Sequence, residues 1–115
     1  MINVYLDDLR PCPRGFTLAR NAEECIALLE SCEIHILSLD HDLGYDQPTG
    51  YDVTRYMVEH GKFAREIYLH TSSAIGRTNM YQLLYRNRPD GVKVYSYPMP
   101  DEVLAEASRM ARAAE

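Results

Sequence analysis

A chain of 115 residues can bury one hydrophobic core but not two, so a single domain over residues 1–115 is expected. With 46% hydrophobic and 25% charged residues it is ordinary for a globular protein, and its net charge of −5 excludes general affinity for a DNA or RNA backbone. No apolar segment approaches membrane-spanning length, and the N-terminus has neither a basic region nor a signal-length apolar run, so no membrane partner and a cytoplasmic location are expected.

Ile2 to Leu6 reads as a short buried strand that ends in Asp7-Asp8. The next stretch, Leu9 to Gly15, holds Pro11, Pro13 and Gly15, which rule out a long helix and predict a loop. Phe16 to Arg20 is a second strand. Asn21 with Glu24 three residues on is a capping-box variant, opening a helix over about 22–31 with Cys25, Ile26, Leu28 and Leu29 inward. Ile34 to Leu39 is a third strand, followed by the polar loop Gly44 to Gly50. Val53, Tyr56, Met57 and His60 recur at helical spacing, and Gly61 terminates that helix. Ile67 to Leu69 is a fourth strand, leading to a helix over about 76–86 with Met80, Leu83 and Leu84 inward. Asn87 to Gly91 is a turn, Val92 to Tyr97 a fifth strand, and Asp101 begins a last helix with Val103, Leu104, Ala107, Met110, Ala111 and Ala114 on its inner face. Strands alternating with helices call for an α/β fold, a parallel sheet covered on both faces, with a loop in place of the first crossover helix. Cys12, Cys25 and Cys32 are odd in number, lack zinc-site spacing, and read as reduced thiols.

In such a sheet, ligands bind outside the carboxyl ends of the strands. There the sequence gathers Asp7 and Asp8; Asp40, His41 and Asp42; His70, Thr71, Ser72 and Ser73; and Ser96 and Tyr97. Each has a structural reading. Asp-Asp suits a turn, Thr71 to Ser73 suit a helix cap, and a lone His70 suits a hydrogen-bonded core position. The triplet Asp40-His41-Asp42 at the end of a buried strand is not explained by packing. Four carboxylates at close range repel one another, and a divalent cation relieves that repulsion. Oxygen ligands of this kind favour Mg²⁺ or Mn²⁺. Along an extended chain Asp40 and Asp42 point one way and His41 the other, so all three meet at one point only if the backbone turns at Asp40. His35 and His60 read as structural. Of the nine tyrosines, Tyr45, Tyr51 and Tyr97 lie near the proposed site.

The segments Leu6-Asp7-Asp8-Leu9-Arg10-Pro11, Ser38-Leu39-Asp40-His41-Asp42-Leu43-Gly44, Thr49-Gly50-Tyr51-Asp52-Val53 and His70 to Met80 resemble the receiver domain of two-component signalling and, more closely, its variant, the cyclic-phosphate processing receiver-like domain. The resemblance covers roughly residues 1–85. It implies a flavodoxin-like, doubly wound, five-stranded parallel sheet of order 2-1-3-4-5. Tyr97 precedes Pro98 where a signalling receiver carries lysine, which argues against a phosphorylated switch. Thr71 stands where the variant family usually has serine, and Ser73-Ala74 where it usually has Asn-Pro.

The resemblance and the acidic cluster together imply a metal-dependent phosphoesterase that opens a cyclic phosphate, either of a cyclic nucleotide or of an RNA 2′,3′-cyclic end. Asp7, Asp8, Asp40 and Asp42 are the expected ligands of Mg²⁺ or Mn²⁺. Asp40, His41 and His70 are the expected catalytic residues, histidine being the side chain that ordinarily titrates near neutrality. Arg10 and Arg77 would clamp the phosphate. Thr71, Ser72, Asn79 and the amides opening the helix at Gly76 would add contacts, and Thr49 and Gly50 would shape the rim. Two other readings stay open: a protein that captures a cyclic nucleotide without cleaving it, and a degenerate receiver acting through protein contacts.

Overall fold

The structure, a computed structural model, describes residues 1–114. Its central strand, β3 (Ile34–Leu39), is buried at every position except His35, as a strand flanked on both sides and covered on both faces must be. β1 (Ile2–Leu6) and β4 (Glu66–Leu69) lie beside it, and β2 (Thr17–Ala19) and β5 (Lys93–Tyr95) form the edges. All pairs are parallel and the order is β2-β1-β3-β4-β5, the receiver-like order that the resemblance implied. In register, Leu6 stands beside both Ala19 and Leu39, and Leu39 beside Leu69, so these strands end level with one another.

The side chains alternate between two cores. Val4, Leu6, Leu37, Leu39, Ile67 and Leu69 pack against α1 (Ala22–Ser31), α2 (Gly50–His60) and α3 (Ala74–Asn87). Tyr5, Ile36 and Tyr68 face the other way, under Met99 and the inner residues Val103 and Leu104 of α4 (Asp101–Ala113). The first crossover is indeed a loop. Its Cys12 and Phe16 fill the place beside α4 on the second face. Gly15 has φ +91°, and a Cβ there would meet the Ala107 carbonyl oxygen at 2.5 Å, so only glycine lets the loop lie this close to α4.

The caps follow sequence logic. The Asn21 side chain accepts the Glu24 N–H at 2.8 Å, and the Glu24 carboxylate reaches back to the Arg20 N–H at 2.9 Å. Thr49 and Asp52 form a second capping box on α2, and Gly61 ends that helix at φ +63°. Three expectations need correction. α3 begins at Ala74, two residues early, because the Ser73 side chain accepts the Gly76 N–H and caps it. β5 covers only Lys93–Tyr95, since Val92 is held in the preceding turn by its N–H bond to the Pro89 carbonyl, although the Leu69 N–H still bonds the Tyr97 carbonyl at 3.1 Å. His60, read as structural, is exposed and stacks on Tyr56. On α4 only Ala107 is fully buried; Met110 is 62% exposed and Ala114 is exposed, because the second half of the helix stands off the sheet across an open hollow lined by Met1, His35 and Met110. No helix among the described residues is long and apolar enough to cross a membrane.

Candidate functional site

Three adjacent strands deliver three polar side chains to the same rim. β1 ends in Asp7, whose N–H still bonds the Ala19 carbonyl at 3.0 Å and whose side chain is almost wholly buried. Its Oδ1 accepts the N–H groups of Leu9 and Arg10, both at 2.9 Å, which is why an aspartate starts this loop. Its Oδ2 faces Arg10 Nη1 at 3.2 Å and His70 Nε2 at 2.9 Å. β3 ends in Asp40, tied to β1 by an N–H bond to the Leu6 carbonyl at 3.1 Å. Asp40 Oδ1 accepts the His41 N–H at 2.8 Å, and the Thr71 hydroxyl bonds the same carboxylate. β4 ends in His70, whose N–H bonds the Leu39 carbonyl at 3.0 Å. The ring stacks on Tyr5, centroids 4.4 Å apart, and its Nδ1 lies 2.6 Å from Ser38 Oγ. Ligand-capable atoms of Asp7, Asp40 and His70 all lie within 4.8 Å of one another.

The electrostatics are those of an acidic site short of positive charge. Burial pushes the Asp7 carboxyl up, but the amides of Arg10 and Leu9 and the His70 ring outweigh it and hold the group below the usual carboxylate range. Burial pushes Asp40 up, helped by the neighbouring Asp7 charge and opposed by the His41 amide. Burial also pushes His70 down, against the pull of Asp7 and Asp40, so the ring is neutral at physiological pH. A neutral ring that donates from Nε2 to Asp7 must accept at Nδ1, from the Ser38 hydroxyl. The donor set, two carboxylates and an imidazole, fits a hard divalent cation. The ionised Asp7 beside a desolvated Asp40 is the charge pair that such an ion would relieve.

Asp8, Arg10, Asp42 and Ser72 line a cleft of about 470 Å³ over Asp7 and Asp40, with Tyr45 fully exposed at its edge. His41 turns away from it. Its ring lies against Gly76, where a Cβ would come within 2.5 Å of His41 Cγ, and it lines a second hollow of about 570 Å³ together with Thr49 and Asn79. The triplet Asp40-His41-Asp42 therefore divides as an extended chain would, its aspartates on the cleft and its histidine on the groove. One contact spans the two: His41 Nδ1 lies 2.9 Å from Asp42 Oδ1.

The remaining expected residues act from outside the cleft. Gly50 lies buried under the Asp40 carbonyl, whose oxygen would be 1.9 Å from a Cβ, and its own N–H bonds the His41 carbonyl at 2.8 Å. Arg77 Nη1 bonds the Thr71 carbonyl at 3.2 Å and braces the loop before α3 without lining the cleft. Thr71 is buried, bonding Asp40 and accepting the Ser73 N–H. The Gly76 amide was expected to donate to the ligand, but Ser73 Oγ takes it. Ser96 and Tyr97 reach neither hollow; Tyr97 packs with Tyr68 and Tyr95 instead. His35 meets Glu66 at 3.3 Å on the far part of β3.

Two residues were given no role by the sequence, Ser38 and Tyr5. The signal for both was period two: Ser38 is two residues before Asp40, and Tyr5 two before Asp7, so each shares a sheet face with a site residue. Comparison with known proteins follows the same motifs. The family model described as the cyclic-phosphate processing receiver domain matches residues 2–86. No curated protein matches the chain.

Proposed function

The chain belongs to the cyclic-phosphate processing receiver domain family, and on that premise we propose that it opens a cyclic phosphodiester by metal-assisted hydrolysis. One observation carries the reading: the ends of three adjacent strands bring two buried carboxylates and an imidazole within 4.8 Å of one another. Asp7, Asp40 and His70 would hold Mg²⁺ or Mn²⁺, with Asp8 and Asp42 at the rim. The bound ion would polarise a phosphoryl oxygen and make a water more acidic.

Ring opening forms a bond from water oxygen to phosphorus and breaks the bond from phosphorus to one ribose oxygen. A proton must leave the water and another must reach the departing oxygen. His41 is the group for that exchange, provided that the scissile ring sits at the His41–Asp42 junction of cleft and groove, since the imidazole itself lines the groove. Asp42 fixes its Nδ1, which presents Nε2, unpartnered among the described residues, for proton transfer. His70 is unsuited to it, since both ring nitrogens are engaged and its side chain is only 6% exposed. Arg10 lines the cleft, anchored by Asp7 and by the His70 carbonyl, and the rest of its fork is left for a phosphoryl oxygen. To give Nε2 to a cation, His70 must carry its proton on Nδ1 and donate to Ser38, a reversal that a hydroxyl permits.

The test is incubation with cyclic nucleotides and with an RNA 2′,3′-cyclic end, with Mn²⁺ and with chelator. Linear product is expected only with the metal. Asp40→Asn should lose both metal binding and turnover. His41→Gln should cut kcat by about 10²–10⁴-fold with metal affinity unchanged. Intact ligand recovered from the metal-loaded protein would replace hydrolysis by capture.

A further inference from the structure

We infer that the groove between α2 and α3 seats the base and sugar of the cyclic-phosphate ligand, making it a nucleoside subsite beside the acidic cleft; this rests on the reading of the cleft given above. The groove, about 570 Å³, is the larger of the two hollows and lies in the size range of small-molecule sites. Its chemistry is the opposite of the cleft's. Asp7, Asp8, Asp40 and Asp42 line the cleft, whereas no carboxylate lines the groove, so it is not a second cation site. The two hollows meet at the His41–Asp42 contact, with the imidazole on one and the carboxylate on the other. A ligand whose phosphate lies in the cleft extends past His41 into the groove.

What it meets there is suited to a base. Asn79, Gln82 and Arg86 fall at i, i+3 and i+7 on α3 and line one wall. Among the described residues, none of these three side chains has a hydrogen bond or ion pair within the protein, so their groups remain free for a ligand. A carboxamide carries a donor and an acceptor side by side, the pattern that reads a base edge. Tyr51, half-buried on α2 and packed against the core, lines the same groove and is held firmly enough to serve as a stacking surface. A ligand that was only a small cyclic phosphate would need none of this.

The experiment compares ligands that differ only beyond the phosphate ring. With Mn²⁺ present, the 2′,3′-cyclic phosphates of adenosine, guanosine, cytidine and uridine are set against 1-O-methylribose 2′,3′-cyclic phosphate, which has no base. A short oligoribonucleotide with a 2′,3′-cyclic end tells a free nucleotide from an RNA terminus. Affinity is read as KM where the ring opens and as Kd where it does not. The base-bearing ligands are expected to bind about tenfold or more tightly than the base-free one. Gln82→Leu and Tyr51→Leu should each remove most of that gain and leave the base-free ligand unaffected. Equal affinity for base-free and base-bearing ligands, or variants that weaken both alike, overturns the subsite. If the base-free ring is opened with no advantage from a base, the cleft reading stands and the subsite alone falls. If nothing binds, both fall.

Discussion

At His70 a single imidazole is held by three neighbours: Ser38 at 2.6 Å on Nδ1, Asp7 at 2.9 Å on Nε2 and the Tyr5 ring 4.4 Å across its face. The arrangement fixes where the ring points, and the Asp7 carboxylate, which can only accept, keeps the proton on Nε2 while the Ser38 hydroxyl donates to Nδ1. Ser38 is wholly buried, so no water replaces it when it is removed. Ser38→Ala is therefore expected to cost about 1–3 kcal/mol of stability, the penalty for an unpartnered buried nitrogen. It should also weaken Mn²⁺ binding by about 10–100-fold, as loss of a support behind a metal ligand does. Urea unfolding and Mn²⁺ titration measure the two effects. Unchanged values in both would make the serine incidental. Arg10 works at the same scale: its contacts to Asp7 and to the His70 carbonyl hold together two strand ends that the chain reaches sixty residues apart.

Between elements, the site depends on two close approaches made by glycine. α2 begins under the Asp40 carbonyl at Gly50, and α3 runs past the His41 ring at Gly76. The two differ in what a methyl group would strike. At Gly50 the obstacle is main chain, 1.9 Å away, which cannot swing aside. At Gly76 it is the root of a side chain, His41 Cγ 2.5 Å away, which can yield only if the whole ring swings off its contact with Asp42. Gly76→Ala also gains helix propensity, worth about 1 kcal/mol. The expected outcome is a urea midpoint lowered much less than by Gly50→Ala and, with the ring displaced, turnover reduced by about 10–100-fold. Gly50→Ala should lower the midpoint sharply. A Gly76→Ala protein with full activity would remove His41 from the proposed chemistry.

For the whole molecule, replacing the first crossover helix by a loop leaves one sheet face to α4, Met99 and the loop's Cys12 and Phe16. Tyr5, the ring under His70, belongs to that face. The family match ends at residue 86, yet β5 and α4 lie beyond it and cover Tyr5, Ile36 and Tyr68. Uncovering one side chain the size of Ile36 costs about 1.5–3 kcal/mol, against a total stability of about 5–15 kcal/mol for a domain. A chain cut after Asn87 is expected to lose its cooperative thermal transition and to aggregate, as followed by circular dichroism and size-exclusion chromatography. A fragment that melts cooperatively as a monomer would show that this face tolerates solvent.

The sequence by itself determined the alternation of strand and helix, the loop in the first crossover, the Asn21 cap and the collection of acids and imidazoles at the strand ends. Those follow from local rules: side-chain period, proline and glycine placement, and the geometry of capping. The receiver-like strand order came from the quoted motifs, and the structure carries it. Sequence could not rank the two histidines, because burial and partners belong to neighbouring elements: His70 meets Ser38 from β3 and Asp7 from β1, while His41 lies against Gly76 of α3 and bonds Asp42. Nor could it tell which arginine reaches the cleft, since Arg77 is drawn to the Thr71 carbonyl and Arg10 to Asp7. The inner face of α4 was overestimated for the same reason. Periodicity says which side of a helix is apolar, and only packing says how much of that side finds a sheet to cover.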